Sequence, residues 1–162
     1  MQFWRWIALI GALAVAGCSP VQPFGAPAAA TSSGAADPAV ASYLDSMGQI
    51  RQQMGDSLDR VNGLMGNADP ENGAWHQQVS TEMALWQKLY QQARALNPPP
   101  QLATPHATFM QAMASYDSAS RDISTALGTT DTNKLVAAKQ ELQTAQQQMV
   151  QSNQQLRTAL GQ

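Results

Sequence analysis

The chain has a single cysteine, Cys18, and charged residues make up only 12% of its 162 positions. One cysteine cannot form a disulfide within the chain, so the fold must be held together by the packing of apolar side chains. Nine lysines and arginines stand against eleven aspartates and glutamates, and no basic cluster occurs. This weak, slightly acidic charge argues against a nucleic acid partner.

Motifs that build catalytic or cofactor sites are also missing. The sequence has no Gly-rich phosphate loop, no Cys-x-x-Cys-His for covalent haem and no Glu-x-x-His pair for a di-iron bundle. Its only histidines, His76 and His106, fall near the starts of different predicted helices, which we expect at opposite ends of the domain. We therefore expect no enzyme activity, no cofactor and no metal site.

The N-terminal segment has the layout of a secretory signal. Arg5 and the initiator amine supply its positive charge, and residues 7–16 are uncharged and almost wholly apolar. The small residues Ala16 and Gly17 follow, where a peptidase needs access to the backbone. The apolar run is too short to span a bilayer as a helix, which takes about 20 residues.

The residues Val15-Ala16-Gly17-Cys18 resemble the lipobox of bacterial lipoproteins. The resemblance implies cleavage between Gly17 and Cys18, removal of residues 1–17, and attachment of a diacylglyceryl group to the Cys18 thiol. It also implies export and a lipid anchor in a membrane of the cell envelope. Ser19, where an aspartate would signal inner-membrane retention, favours the periplasmic face of the outer membrane if the host is Gram-negative.

Residues 18–36 predict a lipidated N-terminus followed by a flexible linker. After Cys18 this stretch consists mainly of Pro, Ala, Gly, Ser and Thr and carries no charged side chain. Such a segment cannot bury enough apolar surface to offset the entropy lost on ordering. As a flexible chain it would reach roughly 20–25 Å.

Helix boundaries are predicted from capping residues and breakers. Asp37-Pro38, Asp69-Pro70 and Thr104-Pro105 each place a capping side chain before a proline, and Asp131 offers a fourth start after Gly128. Asn and Gly residues and the run of prolines at 98–100 mark the stops. The predicted helices cover residues 38–66, 70–97, 104–127 and 131–160.

Between these marks the apolar residues recur every three or four positions, which indicates helices that pack side by side. With short connections, residues 37–162 predict an all-α fold, an antiparallel up-down-up-down four-helix bundle after a disordered linker. The apolar face of the fourth helix is largely alanine. We expect it to approach the side of the bundle that carries Trp75 and Trp86.

His106 is the sharpest candidate for a ligand site. It occupies a core-type position near the start of the third helix, where the helix dipole disfavours the charged imidazolium. A neutral imidazole there could bind a ligand or metal, or could hydrogen-bond the Asn97–Pro100 turn or the end of a neighbouring helix. Tyr116 and Trp86 complete the candidate ligand-binding set. The methionines favour core packing over copper(I) binding.

Pro98-Pro99-Pro100, His106, Tyr116 and the Leu/Ala-spaced last helix resemble the second half of several helical lipoprotein domains of unknown function. That resemblance carries over no active site. The leading interpretation is therefore a lipid-anchored cell-envelope protein with a non-catalytic helical domain. Its role would be structural or interactive, with the membrane held through the lipid and another envelope protein as the candidate partner. The alternative is a small-ligand or metal-binding bundle centred on His106.

Overall fold

The computed structural model describes residues 37–69, 71–129 and 131–162, and these ranges contain four α-helices and no strand. The prediction of an all-α, four-helix fold is confirmed. The predicted signal peptide, Cys18 and the linker lie outside the described residues. The helices are α1 (Pro38–Gly66), α2 (Gly73–Arg94), α3 (Ala103–Thr129) and α4 (Thr132–Ala159), with a short 3-10 helix at Pro100–Leu102 before α3.

Two helices begin where their capping residues predict. The Asp37 carboxylate accepts a hydrogen bond of 2.9 Å from the backbone N–H of Ala39, and Pro38 takes the first helical position of α1. The Asp131 carboxylate accepts an equivalent bond of 2.9 Å from Asn133 at the start of α4. Each cap satisfies an N–H group that has no partner within the helix.

The predicted start of α2 is wrong by three residues, since the helix begins at Gly73 and not at residue 70. The N–H of Asn72 bonds to the carbonyl of Asp69 at 2.9 Å, and this turn delays the helix. Asn72 is the cap, and its side-chain oxygen accepts a hydrogen bond of 2.9 Å from the N–H of Ala74. The helix also stops at Arg94 rather than at residue 97, where the N–H groups of Ala95 and Leu96 bond to carbonyls three residues back instead of four.

The predicted capping role of Thr104 is also wrong. The 3-10 helix runs directly into α3, which begins at Ala103, so Thr104 already lies within the helix. Pro105 is accommodated because a proline in the first turn gives up an N–H that has no helical partner. Leu102, buried at the junction, donates its N–H to the carbonyl of Pro99 at 2.8 Å.

Contacts between consecutive helices join the end of one to the start of the next. Trp75 near the start of α2 donates its indole N–H to the carbonyl of Leu64 near the end of α1, at 2.9 Å. Lys134 near the start of α4 pairs with Asp122 in the last third of α3, also at 2.9 Å. The up-down-up-down order stays a prediction, which these contacts support.

The closest pair of helices is α3 with α4, which corrects the expectation that α4 approaches α2 near Trp75 and Trp86. Small residues face each other along this pair at intervals of seven. They are Ala112, Ala119 and Ala126 on α3, and Ala138, Ala145 and Ser152 on α4, all buried. Small side chains on both helices let the two backbones approach closely, whereas the buried face of α2 carries large rings.

Helix α1 is attached differently. Its backbone approaches that of α2, but it has no comparably close approach to α3 or α4. Long side chains instead connect α1 to these helices at the end of the bundle where α1 and α3 begin. Within the described ranges, no helix combines the length and apolar character that a bilayer span requires.

Candidate functional site

His106 lies in the first turns of α3 and contacts the start of α1. Its Nδ1 atom is 2.9 Å from the hydroxyl oxygen of Tyr43, and the two rings meet edge to face with centroids 5.9 Å apart. Of the alternatives that the sequence left open, this contact corresponds to a bond with the end of a neighbouring helix. Partial burial lowers the pKa of His106, because removal from water disfavours the charged imidazolium.

The hydrogen bonds around Tyr43 indicate which tautomer His106 adopts. The Tyr43 hydroxyl also lies 3.3 Å from the sulfur of Met47, but a phenol has only one proton to donate. The hydroxyl donates this proton to the thioether, which has none to give, and its oxygen accepts the N–H of Nδ1. His106 then carries its hydrogen on Nδ1, and its Nε2 atom is an acceptor.

Tyr116 and Trp86, the other members of the predicted ligand set, do not join His106. Their rings pack edge to face with centroids 5.8 Å apart, and both side chains are buried in the core. Burial raises the pKa of Tyr116 to about 12. Tyr116 follows His106 by ten residues on α3, which corresponds to about 15 Å along the helix axis. The three side chains therefore do not line a common site.

The two histidines are far apart. His76 packs edge to face on Trp75, whose indole bonds to Leu64 of α1, whereas His106 bonds to Tyr43. Tyr43 and Leu64 are about 30 Å apart along α1 at 1.5 Å per residue. Among residues 37–69, 71–129 and 131–162, no group of three or more His, Cys, Asp or Glu side chains is placed to hold a metal ion.

The methionines take part in the core. Five are buried, and Met110 and Met149 pack half-buried against the same cluster. The five buried ones are Met47, Met54, Met65, Met83 and Met113. The spaces between the helices differ in width, and the flexible methionine side chains fill them.

Arg51, which no sequence motif singles out, lies beside the Tyr43–His106 contact and interacts with the Tyr43 phenol. Its Nη2 atom donates to the hydroxyl oxygen of Ser152 on α4 at 2.9 Å, and Ser152 in turn donates to the carbonyl of Pro105 at 2.8 Å. The guanidinium carbon lies 5.2 Å from the centroid of the Phe109 ring, a cation–π distance. Arg51 therefore connects α1 with α3 and α4.

We refer to Tyr43, Arg51, His106, Phe109 and Ser152 as the Arg51 cluster. Burial lowers the pKa of Arg51, because the low-polarity surroundings disfavour its charge, and the Tyr43 phenol partly opposes this effect. Burial likewise raises the pKa of the Tyr43 phenol, which the positive charge of Arg51 partly offsets. The Nε atom of Arg51 is buried and has no hydrogen-bond partner among the described residues.

A second polar cluster lies between α1 and α2, and we call it the Glu82 cluster. Arg60 holds the Glu82 carboxylate through two bonds, from Nε at 2.6 Å and from Nη2 at 3.0 Å. The buried hydroxyl of Ser57 donates to the same carboxylate and accepts from the indole N–H of Trp86 at 2.7 Å. The hydrogen bond from Arg60 lowers the pKa of Glu82, whereas burial of the carboxylate raises it. The hydrogen bond from Ser57 lowers the pKa further.

The two clusters differ in whether all of their buried polar groups have hydrogen-bond partners. In the Glu82 cluster the buried carboxylate, hydroxyl and indole all have partners, which is typical of a structural network. In the Arg51 cluster one buried donor has none. The sequence does hold one signal for Arg51, since this residue directly follows Ile50 and so lies beside the apolar stripe of its helix. Nothing in the sequence indicates which residues Arg51 contacts.

No family model, no curated protein and no solved structure matches this chain. Any function must therefore be argued from the residues and geometry described above.

Proposed function

We propose that this chain is a lipid-anchored protein of the cell envelope whose helical domain acts by binding a partner and not by catalysis. The anchor rests on Val15-Ala16-Gly17-Cys18 and its resemblance to a lipobox. Two or more acyl chains on Cys18 would give stable attachment, because each buried CH₂ contributes about 0.8 kcal/mol. The domain would then stand off the membrane on residues 18–36.

The observation that carries a binding role is the outer face of α4. Exposed residues recur there at alternating spacings of three and four, in parallel with the buried stripe that faces α3. They are Asn133, Val136, Gln140, Gln143, Gln147, Val150 and Gln154, which we call the outer row. Val150 is 57% exposed and Val136 is 47% exposed, more than any other large hydrophobic described. Val136 and Val150 are fourteen residues apart and so lie on one side of α4, where exposed apolar side chains are the anchors by which another helix is recognised.

The outer row carries no charged side chain, although charged residues occur elsewhere on the exposed surface. Glutamine side chains can pack and exchange hydrogen bonds with a polar partner without the cost of desolvating a charge. The row therefore favours a partner with amide and apolar groups over a strongly charged one.

The distribution of charge supports a tethered orientation. The end of the bundle joined to the linker comprises residues 37–51, 88–106 and 152–162, with four basic and two acidic side chains. The far part, residues 55–82 and 115–141, has four basic and nine acidic side chains. An anionic leaflet would attract the first end weakly and repel the second. The long axis would then point away from the membrane, with the outer row accessible along its side.

Metabolic labelling with radioactive palmitate tests the anchor. We expect label on the wild-type chain and none on Cys18→Ser, whereas Ser19→Ala, which leaves the cysteine in place, keeps the label. Label that persists on Cys18→Ser would rule out attachment at this residue.

Site-specific photo-crosslinking in intact cells tests the binding role. A photoreactive residue at Gln147 in the outer row is expected to capture one envelope protein. The same residue at Gln78, exposed on α2, serves as the matched control. Equal capture at both positions, or none at Gln147, would contradict a docking role for the outer row.

A second candidate function is a small-ligand site at the His106 end of the bundle. The specific observation is the buried Nε atom of Arg51, which lacks a hydrogen-bond partner among the described residues. The positive charge of Arg51 acts on Tyr43, the partner of His106, and disfavours a bound cation there, so the ligand would be organic and not a metal. Native mass spectrometry of the intact protein, compared with Arg51→Gln, would detect such a ligand by its mass and by its loss.

A further inference from the structure

We propose that the Arg51 cluster binds a small carboxylate, and in particular one that carries an N–H or O–H donor next to the carboxyl group. This inference rests on the second candidate function and names the ligand class of that site. Three features support it: the guanidinium edge of Arg51, the charge of its surroundings and an unpaired acceptor on α4.

Arg60 shows what the edge of an arginine side chain does elsewhere in the same protein. Its Nε and Nη2 atoms hold the two carboxylate oxygens of Glu82 side by side, at 2.6 and 3.0 Å. This fork is the geometry in which arginine matches a planar carboxylate. On Arg51 the Nη2 atom contacts Ser152, and the Nε atom has no acceptor among the described residues.

The surroundings of Arg51 provide no negative charge to balance it. The salt bridges of the described residues pair Arg60 with Glu82, Arg121 with Asp117 and Lys134 with Asp122.

The groups that do contact Arg51 are the Ser152 hydroxyl and the Phe109 ring, and the Tyr43 phenol lies close enough to interact with its charge. The starts of α1 and α3 meet at this end of the bundle, and helix starts favour anions. An anion would therefore relieve an unbalanced, partly desolvated cation.

The cluster fits a carboxylate better than a phosphate dianion. Arg51 is its only permanent cation, because burial keeps the pKa of His106 below its usual range and the imidazole neutral. One guanidinium balances one negative charge. The Phe109 ring borders the guanidinium, so a small planar group with an apolar substituent suits the site.

The second recognition element is Gln155, one turn beyond Ser152 on α4. Its Oε1 atom is buried and has no hydrogen-bond partner among the described residues. An unpaired acceptor on the same helix face as Ser152 calls for a donor on the ligand. A carboxylate with a neighbouring N–H, as in an N-acylated amino acid or at the C-terminus of a peptide, offers the acceptor for Arg51 and the donor for Gln155 in one small group.

A nitrogen-detected titration of the full chain in detergent micelles tests the proposal. The probes are N-acetylalanine, acetate and N-acetylalanine amide, with sodium chloride at equal ionic strength as the blank. We expect the Nε–H signal of Arg51 to shift and saturate with N-acetylalanine, to do so more weakly with acetate, and not to shift with the amide. The Nε–H signal of Arg60, already paired with Glu82, reports any non-specific effect and is expected to stay in place.

Variants separate the two recognition elements. Arg51→Gln is expected to weaken the binding of N-acetylalanine about tenfold or more, and Gln155→Ala to remove the preference for N-acetylalanine over acetate. Arg94→Gln, an exposed arginine at the end of α2, is the matched control and keeps binding. Arg51→Gln also removes packing on Phe109. Arg51→Lys is therefore measured as a second variant, because lysine retains the positive charge but lacks the paired N–H donors of the guanidinium.

Two results would overturn the proposal. The first is an Arg51 signal that does not saturate with N-acetylalanine, or that shifts equally with sodium chloride. The second is a larger shift with inorganic phosphate than with N-acetylalanine. An N-terminally blocked trialanine peptide distinguishes the sources, since tighter binding than N-acetylalanine indicates a peptide end and equal binding a free acid. If native mass spectrometry finds an organic ligand while the carboxylates fail, the ligand class is wrong and the second candidate function stands.

Discussion

The Tyr43 hydroxyl and Nδ1 of His106 lie 2.9 Å apart and join the start of α1 to the start of α3. The contact matters because the backbone of α1 does not approach that of α3 closely. His106 is half-buried, and its removal from water lowers its pKa, so the stability of the domain depends on its protonation.

Stability is expected to fall as pH drops below about 6.5. The pKa of His106 is lowered in the folded state, so between the folded and unfolded values the unfolded chain binds more protons. Stability then rises with pH across this window and is lost as pH decreases through it. Urea unfolding at pH 7.5 and 5.5 measures the effect, and His106→Gln should show a smaller loss than wild type. Parallel curves for the two proteins would exclude His106 as the cause.

Ser57→Ala is expected to destabilise the domain by about 1–3 kcal/mol, because it leaves the buried indole N–H of Trp86 without an acceptor. The substitution also removes the hydroxyl that donates to Glu82. Chemical denaturation measures the change, and Ser80→Ala, exposed on α2, is the matched control with little expected effect. Equal stability of the two variants would show that the Glu82 cluster is dispensable.

Ala145→Leu is expected to destabilise the fold by about 1–3 kcal/mol through overpacking. Ala145 is buried on the seam where α3 and α4 approach most closely, and a leucine there would push the two helices apart. Thr144→Leu, exposed one residue earlier, is the control. If thermal unfolding shows Ala145→Leu to be as stable as Thr144→Leu, the close approach of the helices is not required.

Val150→Asp is expected to reduce crosslinking from Gln147 severalfold while leaving the helical content unchanged. The aspartate puts a charge into the uncharged outer row, and Val150 is exposed enough for the substitution to spare the core. Far-UV circular dichroism checks the fold, and Ser80→Asp on α2 provides the same charge away from the row. A reduction of similar size in Ser80→Asp would indicate a general charge effect.

The sequence predicts the helices well where one residue controls the boundary. Asp37 and Asp131 cap their helices as expected, because a carboxylate that accepts an early N–H acts locally. Thr104 fails as a cap because the chain already turns in a 3-10 helix before it. Competing local turns of this kind are settled by packing, which a single sequence does not specify.

Contacts between helices were harder to predict. The alanines of α4 predict a close approach but not its partner, because the buried alanines of α3 stand among larger side chains in the sequence. Arg51 and Ser57 were missed for a related reason. A polar residue beside an apolar stripe carries no information on which helix supplies its partner, and both partners here are more than twenty residues away in sequence.

The unequal attachment of the helices has a mechanical consequence. Any pull on the chain from its N-terminal side enters the domain at Pro38 and loads α1 first. That helix is joined to α3 and α4 through the side-chain contacts of Tyr43 and Arg51, whereas α3 and α4 are in contact along a seam of small residues. Under tension α1 should therefore yield before the α3–α4 pair, and the first contact to bear the load is the one between Tyr43 and His106.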